Sequence, residues 1–261
     1  MKIINSRENP QLKFLLRLSS SARECRKESM TILDGERLIG AFRSAGRGQA
    51  ELVAASESGL KRPALRELFE TTPAREHIAL ADRLLTRISQ VVSSAGMLAV
   101  VRIPDPQSLP AAVMDGILLD HIQDPGNLGS ILRSALAAGL RHVFLTPGCA
   151  LAWSPKVVRA GMGAHFGLTI FEAVDAAALA QRAVGRKLAA CADARRTLYE
   201  IDLRGPVVWL FGNEGAGLTE QAIAAADERI KVPMPGPAES LNVAAAAAVC
   251  LFEQVRQRRP G

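Results

Sequence analysis

Hydrophobic and polar residues follow two patterns along this chain, separated by a proline-rich stretch at residues 104–110. Before it, short apolar runs alternate with segments of helical spacing, which predicts a small α/β domain. Three prolines in seven residues exclude a continuous helix or a central strand across the stretch itself. The predicted strands are 30–33, 52–55 and 97–103, and the predicted helices are 9–18, 36–45, 64–69 and 81–91.

The alternation is sharper after the proline-rich stretch. Strands that alternate with helices predict right-handed crossovers and a mostly parallel sheet, with ligands bound at the carboxyl ends of the strands. We therefore expect a first domain at residues 1–103, a linker at 104–112 and a second domain at 113–261. Its predicted strands are 116–120, 142–146, 168–173, 187–192, 207–212 and 230–232, and its predicted helices are 127–138, 154–164, 176–184, 219–225 and 241–257.

Composition is that of an ordinary globular protein, with 48% apolar and 22% charged residues. The longest apolar run, 243–252, is too short to cross a bilayer, and the chain does not open with a secretory signal pattern. Its four cysteines and four histidines are dispersed without metal-ligand spacing. These features predict a cytoplasmic protein with reduced thiols and no metal site.

The net charge of +6 is concentrated near the amino terminus, where residues 1–47 hold ten basic and five acidic side chains. Residues 48–105 are balanced at seven of each. A basic segment suits a partner with a phosphate backbone, although a solvated charged surface has the same composition.

Three polar segments follow predicted strands of the second domain. In the first, residues 124–126 form an Asp-Pro-Gly turn and Asn127 opens a helix that carries Arg133 on its polar side. Asn127 fits a helix N-cap and Arg133 fits a surface arginine, so neither residue alone indicates a function.

The second segment places glycines at 212, 215 and 217 directly after a strand. Their order differs from the Gly-x-Gly-x-x-Gly of dinucleotide-binding loops, and the chain contains no Gly-Lys-Ser/Thr, which excludes a phosphate-cradling NTPase loop. Glu214 between the glycines suits a cation or an arginine as partner, or a solvent-facing turn.

The third segment is stiffened by prolines at 233, 235 and 237 and leads through Ser240 and Asn242 into an alanine-rich helix. Ser240 fits an N-cap. Asn242 is predicted one turn inside the helix, where helix propensity gives it no advantage.

Taken in order and spacing, these segments resemble the three signature motifs of the SpoU/TrmH family of RNA ribose 2′-O-methyltransferases. The resemblance covers about residues 115–258, and a looser similarity extends to a substrate-binding domain in the first half. It implies a deep trefoil knot in the α/β domain, S-adenosylmethionine as methyl donor, a homodimer, and structured RNA as substrate, with ribosomal RNA favoured over transfer RNA.

Carried over position by position, the resemblance also implies site residues. The catalytic and substrate-positioning residues would be Asn127, Arg133, Glu214, Ser240 and Asn242. The cofactor pocket would be lined by Leu145, Thr146, Gly212, Asn213, Gly215, Val232, Met234 and Leu241. The basic residues expected to contact RNA are Arg7, Lys13, Arg17, Arg23, Arg26, Lys27, Lys156 and Arg159.

For the reaction, we expect Arg133 to bind a phosphate next to the reacting ribose and to stabilise the developing alkoxide, because arginine is almost never deprotonated in proteins. Two other functions fit parts of the pattern. A non-catalytic RNA-binding or ribosome-assembly protein would retain the fold, but decay of the site would change the five catalytic positions. An NAD-dependent oxidoreductase would need the dinucleotide fingerprint that is missing here.

Overall fold

The structure is a computed structural model that describes residues 3–89 and 96–259, and its two β-sheets belong to separate units. One unit contains the chain up to Asp105 together with Trp153–Phe166. The other contains Pro106–Ala152 and the chain from Gly167 onward. No helix among these described residues is long and apolar enough to span a membrane.

The first unit is built on a mixed five-stranded sheet. Its strands are β1 (Ile3–Ile4), β2 (Met30–Asp34), β3 (Leu52–Ser56), β4 (His77–Leu80) and β5 (Met97–Arg102), in the order β1-β4-β3-β5-β2. Its helices are α1 (Pro10–Ser20), α2 (Ala22–Glu28), α3 (Glu36–Ser44), α4 (Pro63–Thr71) and α5 (Asp82–Ile88). Strand β5 is antiparallel to both of its neighbours, and the other pairs are parallel.

The three strands and four helices predicted for this half are confirmed, apart from residues 90–91 of one predicted helix, which lie outside the described residues. Two strands and one helix were missed, namely β1, β4 and α2. Each is short, and α2 is seven residues long with a single buried side chain, Cys25, so its sequence has no apolar periodicity to detect.

The second unit is built on a seven-stranded sheet in which every pairing is parallel. The strands are β6 (Gly116–Leu119), β7 (His142–Leu145), β8 (Thr169–Phe171), β9 (Arg186–Ala190), β10 (Arg196–Thr197), β11 (Val207–Phe211) and β12 (Glu228–Lys231), in the order β10-β12-β9-β11-β6-β7-β8. The helices are α6 (Pro125–Ala137), α8 (Ala176–Arg182), α9 (Glu220–Ala224) and α10 (Val243–Arg258). This confirms the predicted α/β fold class and all six predicted strands of this half; the two-residue β10 was missed.

Large apolar side chains hold this sheet to its helices. Phe144 of β7 and Phe171 of β8 stack with ring centroids 5.0 Å apart. Trp209 of β11 is fully buried and donates its indole N–H to Gln254 of α10 at 2.6 Å. Because a buried indole N–H without a partner is costly, this bond also fixes α10 against the sheet.

One helix, α7 (Pro155–Gly161), is in the methylase-like half of the sequence, yet its segment packs with the first unit. It contacts β2, which is one of the two edge strands of the five-stranded sheet. Arg47 donates two hydrogen bonds to the carbonyl of Phe166, at 3.0 and 2.7 Å, and Phe42 meets the Phe166 ring edge-on. The predicted boundaries place this segment in the second domain, 113–261, whereas the contacts of Arg47 and Phe42 hold it against the first unit.

Candidate active site

The loops that leave three adjacent strands lie at one edge of the parallel sheet. Strand β9 lies between β12 and β11, so the loops after β9, β11 and β12 emerge side by side. Two of them are the glycine and proline segments recognised in the sequence. The third, which begins Ala190-Cys191-Ala192, was missed because small residues without polar chemistry give no local signal; only the strand order reveals its place.

The side chain of Asn127, in the first motif segment, is hydrogen-bonded to both of the other segments. Its Nδ2 donates to Oε1 of Glu214 at 2.8 Å, and its Oδ1 accepts from Nδ2 of Asn242 at 2.9 Å. A carboxylate accepts hydrogen bonds, so the Asn127 amide must turn its NH2 towards Glu214 and its oxygen towards Asn242. All three side chains are part of an exposed chain of hydrogen bonds that spans 115 residues of sequence.

The residues that cap α6 and α10 differ from those that the sequence suggested. Asp124 is the N-cap of α6 and accepts from the Asn127 N–H at 2.8 Å, which makes Asn127 the third helical residue and leaves its side chain available. Asn242, predicted inside the last helix, is instead the N-cap of α10 and accepts from the N–H groups of Ala244 and Ala245. Ser240 is exposed two residues before this cap.

The loop after β11 is held closed by Asn213. Its Oδ1 accepts from the N–H groups of Gly215 and Ala216, and its Nδ2 donates to the carbonyl of His121 at 2.9 Å. The Asn213 side chain is therefore occupied inside the protein rather than directed at a ligand, and it places the neighbouring Glu214. Two backbone bonds between residues 213 and 217 complete the turn.

Gly212 is required by close packing within this loop. A Cβ on Gly212 would lie 2.2 Å from the carbonyl carbon of Gly217 and 2.2 Å from the nitrogen of Leu218. Gly215, by contrast, is exposed, and a Cβ there would find only Asn213 Oδ1 at 3.7 Å. The backbone at Gly212 is thus packed directly against the backbone at Gly217 and Leu218, whereas the backbone at Gly215 faces outward.

Leu145 is the last residue of β7 and Thr146 follows it; β6 separates this strand from β11. Leu145 is buried, and the Thr146 hydroxyl donates to the buried carboxylate of Asp120 at 2.8 Å. These two predicted pocket residues thus lie apart from the three adjacent loops, and Thr146 has a structural partner. The resemblance to the family implied a place for both in the cofactor pocket, and that assignment stays a prediction.

Asp120 organises the end of β6. Burial raises the pKa of its carboxyl, but the hydrogen bonds from the Thr219 N–H, His121 and Thr146 together outweigh burial and hold the pKa below its ordinary value. The Thr219 N–H donates to Oδ2 at 2.8 Å, and His121 Nδ1 lies 2.9 Å from Oδ1. Asp120 thereby ties the loop after β6 to the end of the glycine loop.

Arg133 is exposed on α6, and within the described part of the chain it has no hydrogen-bond or ion-pair partner. It follows Asn127 by six residues, which corresponds to a rise of about 9 Å along the helix and a rotation of roughly 120° away from it. The Arg133 side chain therefore points away from the Asn127–Glu214 contact.

The loop after β12 contains three of the predicted pocket residues. Val232 and Met234 are half-buried there, and Leu241 is 39% exposed.

The predicted RNA-contacting residues all fall in the first unit, including Lys156 and Arg159 on α7. Ion pairs join Lys13 to Glu8, Arg17 to Glu24 and Lys27 to Glu28, whereas Arg7, Arg23, Arg26 and Lys156 are exposed without a charged partner in the described residues. Within residues 3–89 and 96–259, no three His, Cys, Asp or Glu side chains are grouped so as to hold a metal ion.

A parallel α/β sheet with polar loops gathered at its carboxyl edge defines a ligand-binding unit of the kind found in many enzymes. The sequence profile of the SpoU rRNA Methylase family matches residues 116–252. The 23S rRNA (uridine(2479)-2′-O)-methyltransferase of Streptomyces viridochromogenes is 33% identical over 208 residues, covering 75% of this chain and 72% of that protein. RlmP of Bacillus subtilis, a 23S rRNA (guanosine(2553)-2′-O)-methyltransferase, is 29% identical over 97% of this chain and 98% of its own length.

Solved structures agree with the sequence comparisons. The SpoU methyltransferase AviRb from Streptomyces viridochromogenes, in complex with AdoMet, superposes with a TM-score of 0.85 at 27% identity, covering 96% of this chain and 98% of that one. An RNA 2′-O ribose methyltransferase superposes with a TM-score of 0.84 at 30% identity, covering 98% and 99%. The chain belongs to the SpoU rRNA methylase family, which confirms the family and the enzyme class predicted from its motifs.

Proposed function

We propose that this protein transfers a methyl group from S-adenosylmethionine to a ribose 2′-hydroxyl of ribosomal RNA. The observation that carries the proposal is the hydrogen-bonded chain Glu214–Asn127–Asn242, which unites all three motif segments at one edge of the sheet. The relatives named as 23S rRNA 2′-O-methyltransferases support ribosomal over transfer RNA.

The loops after β9, β11 and β12 suit the methyl donor because they present backbone and small side chains at adjacent strand ends. Gly215 and Leu241 are exposed there, and Met234 is half-buried. We assign the donor pocket to these loops, with Ala190–Ala192 added and Leu145 and Thr146 left out. S-adenosylmethionine supplies an electrophilic methyl group, so the protein has to orient the acceptor oxygen and assist loss of its proton.

For the acceptor, we assign Arg133 to the phosphate next to the reacting ribose. Its guanidinium remains charged, so it stabilises negative charge that develops on the 2′-oxygen rather than removing the proton. The hydrogen bond between Asn127 and Glu214 holds the first turn of α6 against the glycine loop. Ser240 and Asn242, just before α10, orient the substrate.

The basic residues of α1, α2 and α7 would hold structured RNA through its phosphates. Arg23, Arg26 and Lys156 are the best candidates, because no carboxylate among the described residues neutralises them. The chain has eight phenylalanines and one tyrosine, which disfavours a broad platform for base stacking.

A homodimer and a trefoil knot, both implied by the resemblance, are part of the proposal. On α10, Ala245 and Phe252 are exposed and Val249 is half-buried, which leaves an apolar stripe beside the packed helix α6. Phe252 is 48% exposed, as expected of a side chain that a second copy covers. Arg133 on α6 would then reach the partner's site. The compartment that we propose is the cytoplasm, where bacteria such as that of the RlmP relative make their ribosomal RNA.

The test uses tritiated S-adenosylmethionine and ribosomal RNA purified from cells that lack the gene. We expect incorporation into 23S RNA, at a single position that resists alkaline cleavage because its 2′-oxygen is methylated. Asn127→Ala should abolish incorporation while the protein stays folded. Labelling of a base, or of transfer RNA in preference, would contradict the proposal.

A further inference from the structure

His121 is held in an unusual conformation directly after β6. Its φ is 56°, in the left-handed region that few residues other than glycine adopt. Three contacts fix it there: its N–H donates to Thr146 Oγ1 at 3.1 Å, its carbonyl accepts from Asn213, and its Nδ1 faces Asp120. A non-glycine residue that several contacts hold in this backbone conformation is typical of functional sites.

Asp120 also determines how the imidazole is presented. Because the carboxylate accepts, Nδ1 carries a proton and donates to it at 2.9 Å, which directs Nε2 away from the strand. The imidazole packs over Gly148, where an added Cβ would lie 2.6 Å from Cδ2 of His121. The side chain is nevertheless 44% exposed, and Nε2 has no hydrogen-bond partner within the described residues.

The titratable groups nearest this imidazole are carboxylates and one thiol. Asp120 is the nearest, and the other acid in its loop is Asp124, which caps α6. From the glycine loop, Glu214 lies one residue from Asn213, which binds the His121 carbonyl. From the β7 loop, the titratable group is Cys149, whose thiol has a pKa raised by burial and therefore stays neutral. No basic side chain of these loops is bonded to it among the described residues.

We propose that His121, held by Asp120, binds a phosphate of the RNA substrate through Nε2–H as an imidazolium, beside the nucleotide that is methylated. The inference rests on the proposed function for the identity of the RNA. A carboxylate behind the ring and an exposed N–H in front make an anion site of the correct sign. Its neighbour Asn213 also contacts Glu214, so the phosphate would lie next to the motif residues. Because the proposed contact needs a proton on Nε2, RNA affinity would fall when a rise in pH removes that proton.

The test measures binding of end-labelled 23S RNA from cells that lack the gene, as a function of pH and salt. Wild-type affinity should fall as the pH rises. At low pH, His121→Asn should bind about tenfold more weakly and should lose about 0.7 from the slope of log affinity against log salt, the share of one phosphate. At high pH the two proteins should converge. Asparagine tolerates the left-handed backbone, so the variant should fold.

Two further variants distinguish charge from structure. His121→Arg should bind tightly at every pH, because its charge does not titrate. His142→Gln, which changes an imidazole at the opposite end of β7, should keep the wild-type pH profile. An unchanged salt slope in His121→Asn, or a fall in kcat without any change in RNA binding, would overturn the proposal. Absence of 2′-O-methylation by the wild type would instead count against the proposed function, because the binding measurement stands without it.

Discussion

Asn242 and Asn127 are hydrogen-bonded side chain to side chain at 2.9 Å, although one is the N-cap of the last helix and the other lies in the first turn of α6. The same Asn242 side chain caps α10 with its oxygen and binds Asn127 with its nitrogen. Helix stability and site geometry therefore depend on different atoms of one residue, which makes them separable by mutation.

Asn242→Asp keeps the oxygen that caps α10 but removes the NH2 that binds Asn127. We expect thermal stability to be retained, because aspartate is an equally good N-cap, and kcat to fall at least about tenfold. Asn242→Ala should lose the same activity and also about 1 kcal/mol of stability. Thermal unfolding and methyl-transfer kinetics on both variants check this, and equal activity of Asn242→Asp and wild type would disprove it.

Gly212→Ala should prevent correct folding of the second unit, since its Cβ would overlap the backbone at Gly217–Leu218. We expect a loss of more than about 3 kcal/mol in the free energy of unfolding, or insoluble protein. Gly215→Ala is the matched control in the same loop and should leave urea unfolding unchanged within about 1 kcal/mol. Comparable stability of the two variants would show that the loop does not pack as described.

Asp120→Asn tests the carboxylate beneath the site. The pKa of Asp120 is lower in the folded protein than its ordinary value of 3.8, so its charge stabilises the fold above that pH. This contribution is lost as the pH falls below 3.8 and through the folded pKa. Wild type should therefore exceed the variant by about 1–3 kcal/mol in urea unfolding near neutral pH, with the difference shrinking in acid. A difference that does not vary with pH would contradict this sign.

Arg133→Ala should remove activity without affecting stability, because no bond within the described residues depends on this side chain. We expect kcat/KM to fall by about a hundredfold or more, with S-adenosylmethionine binding retained in calorimetry. Arg133→Lys should recover only part of the activity, since lysine keeps the charge and loses the two-pronged donor geometry. Arg141→Ala, at the amino end of β7, should be nearly silent. Normal turnover of Arg133→Ala would refute the role assigned to it.

Motif residues could be recognised from the sequence, but their hydrogen-bond partners could not. Asn127, Glu214 and Asn242 stood out because polar residues follow apolar strands at those positions. The alternative interpretation of Asn127 as the cap of α6 was wrong, because Asp124 caps that helix, and Asn242 caps a helix that it was expected to lie inside. Which of two polar residues a few positions apart caps a helix depends on backbone angles that flanking residues do not specify.

The pocket proposed for the methyl donor shows a second kind of limit. Ala190 ends β9 and the loop after it has no polar signature, so only the strand order β12-β9-β11 reveals that this loop lies beside the two motif loops. Leu145 and Thr146 were implied by the family resemblance, and β6 separates their strand from β11. Parallel pairing joins strands far apart in the chain, so adjacency in a sheet is a long-range property.

Apolar periodicity, prolines and strand-end polar residues, all local features, were enough to predict two α/β halves and a mostly parallel sheet, and the three motif segments carried the resemblance to the family. Local preferences act over a few residues, so they specify elements and motif positions. Tertiary packing decided three other features: the assignment of Trp153–Phe166 to the first unit, the closure of the loop at Gly212 and the orientation of the Asn127 amide. Each depends on contacts between distant residues, in which burial and hydrogen bonding select one partner among many that the sequence permits.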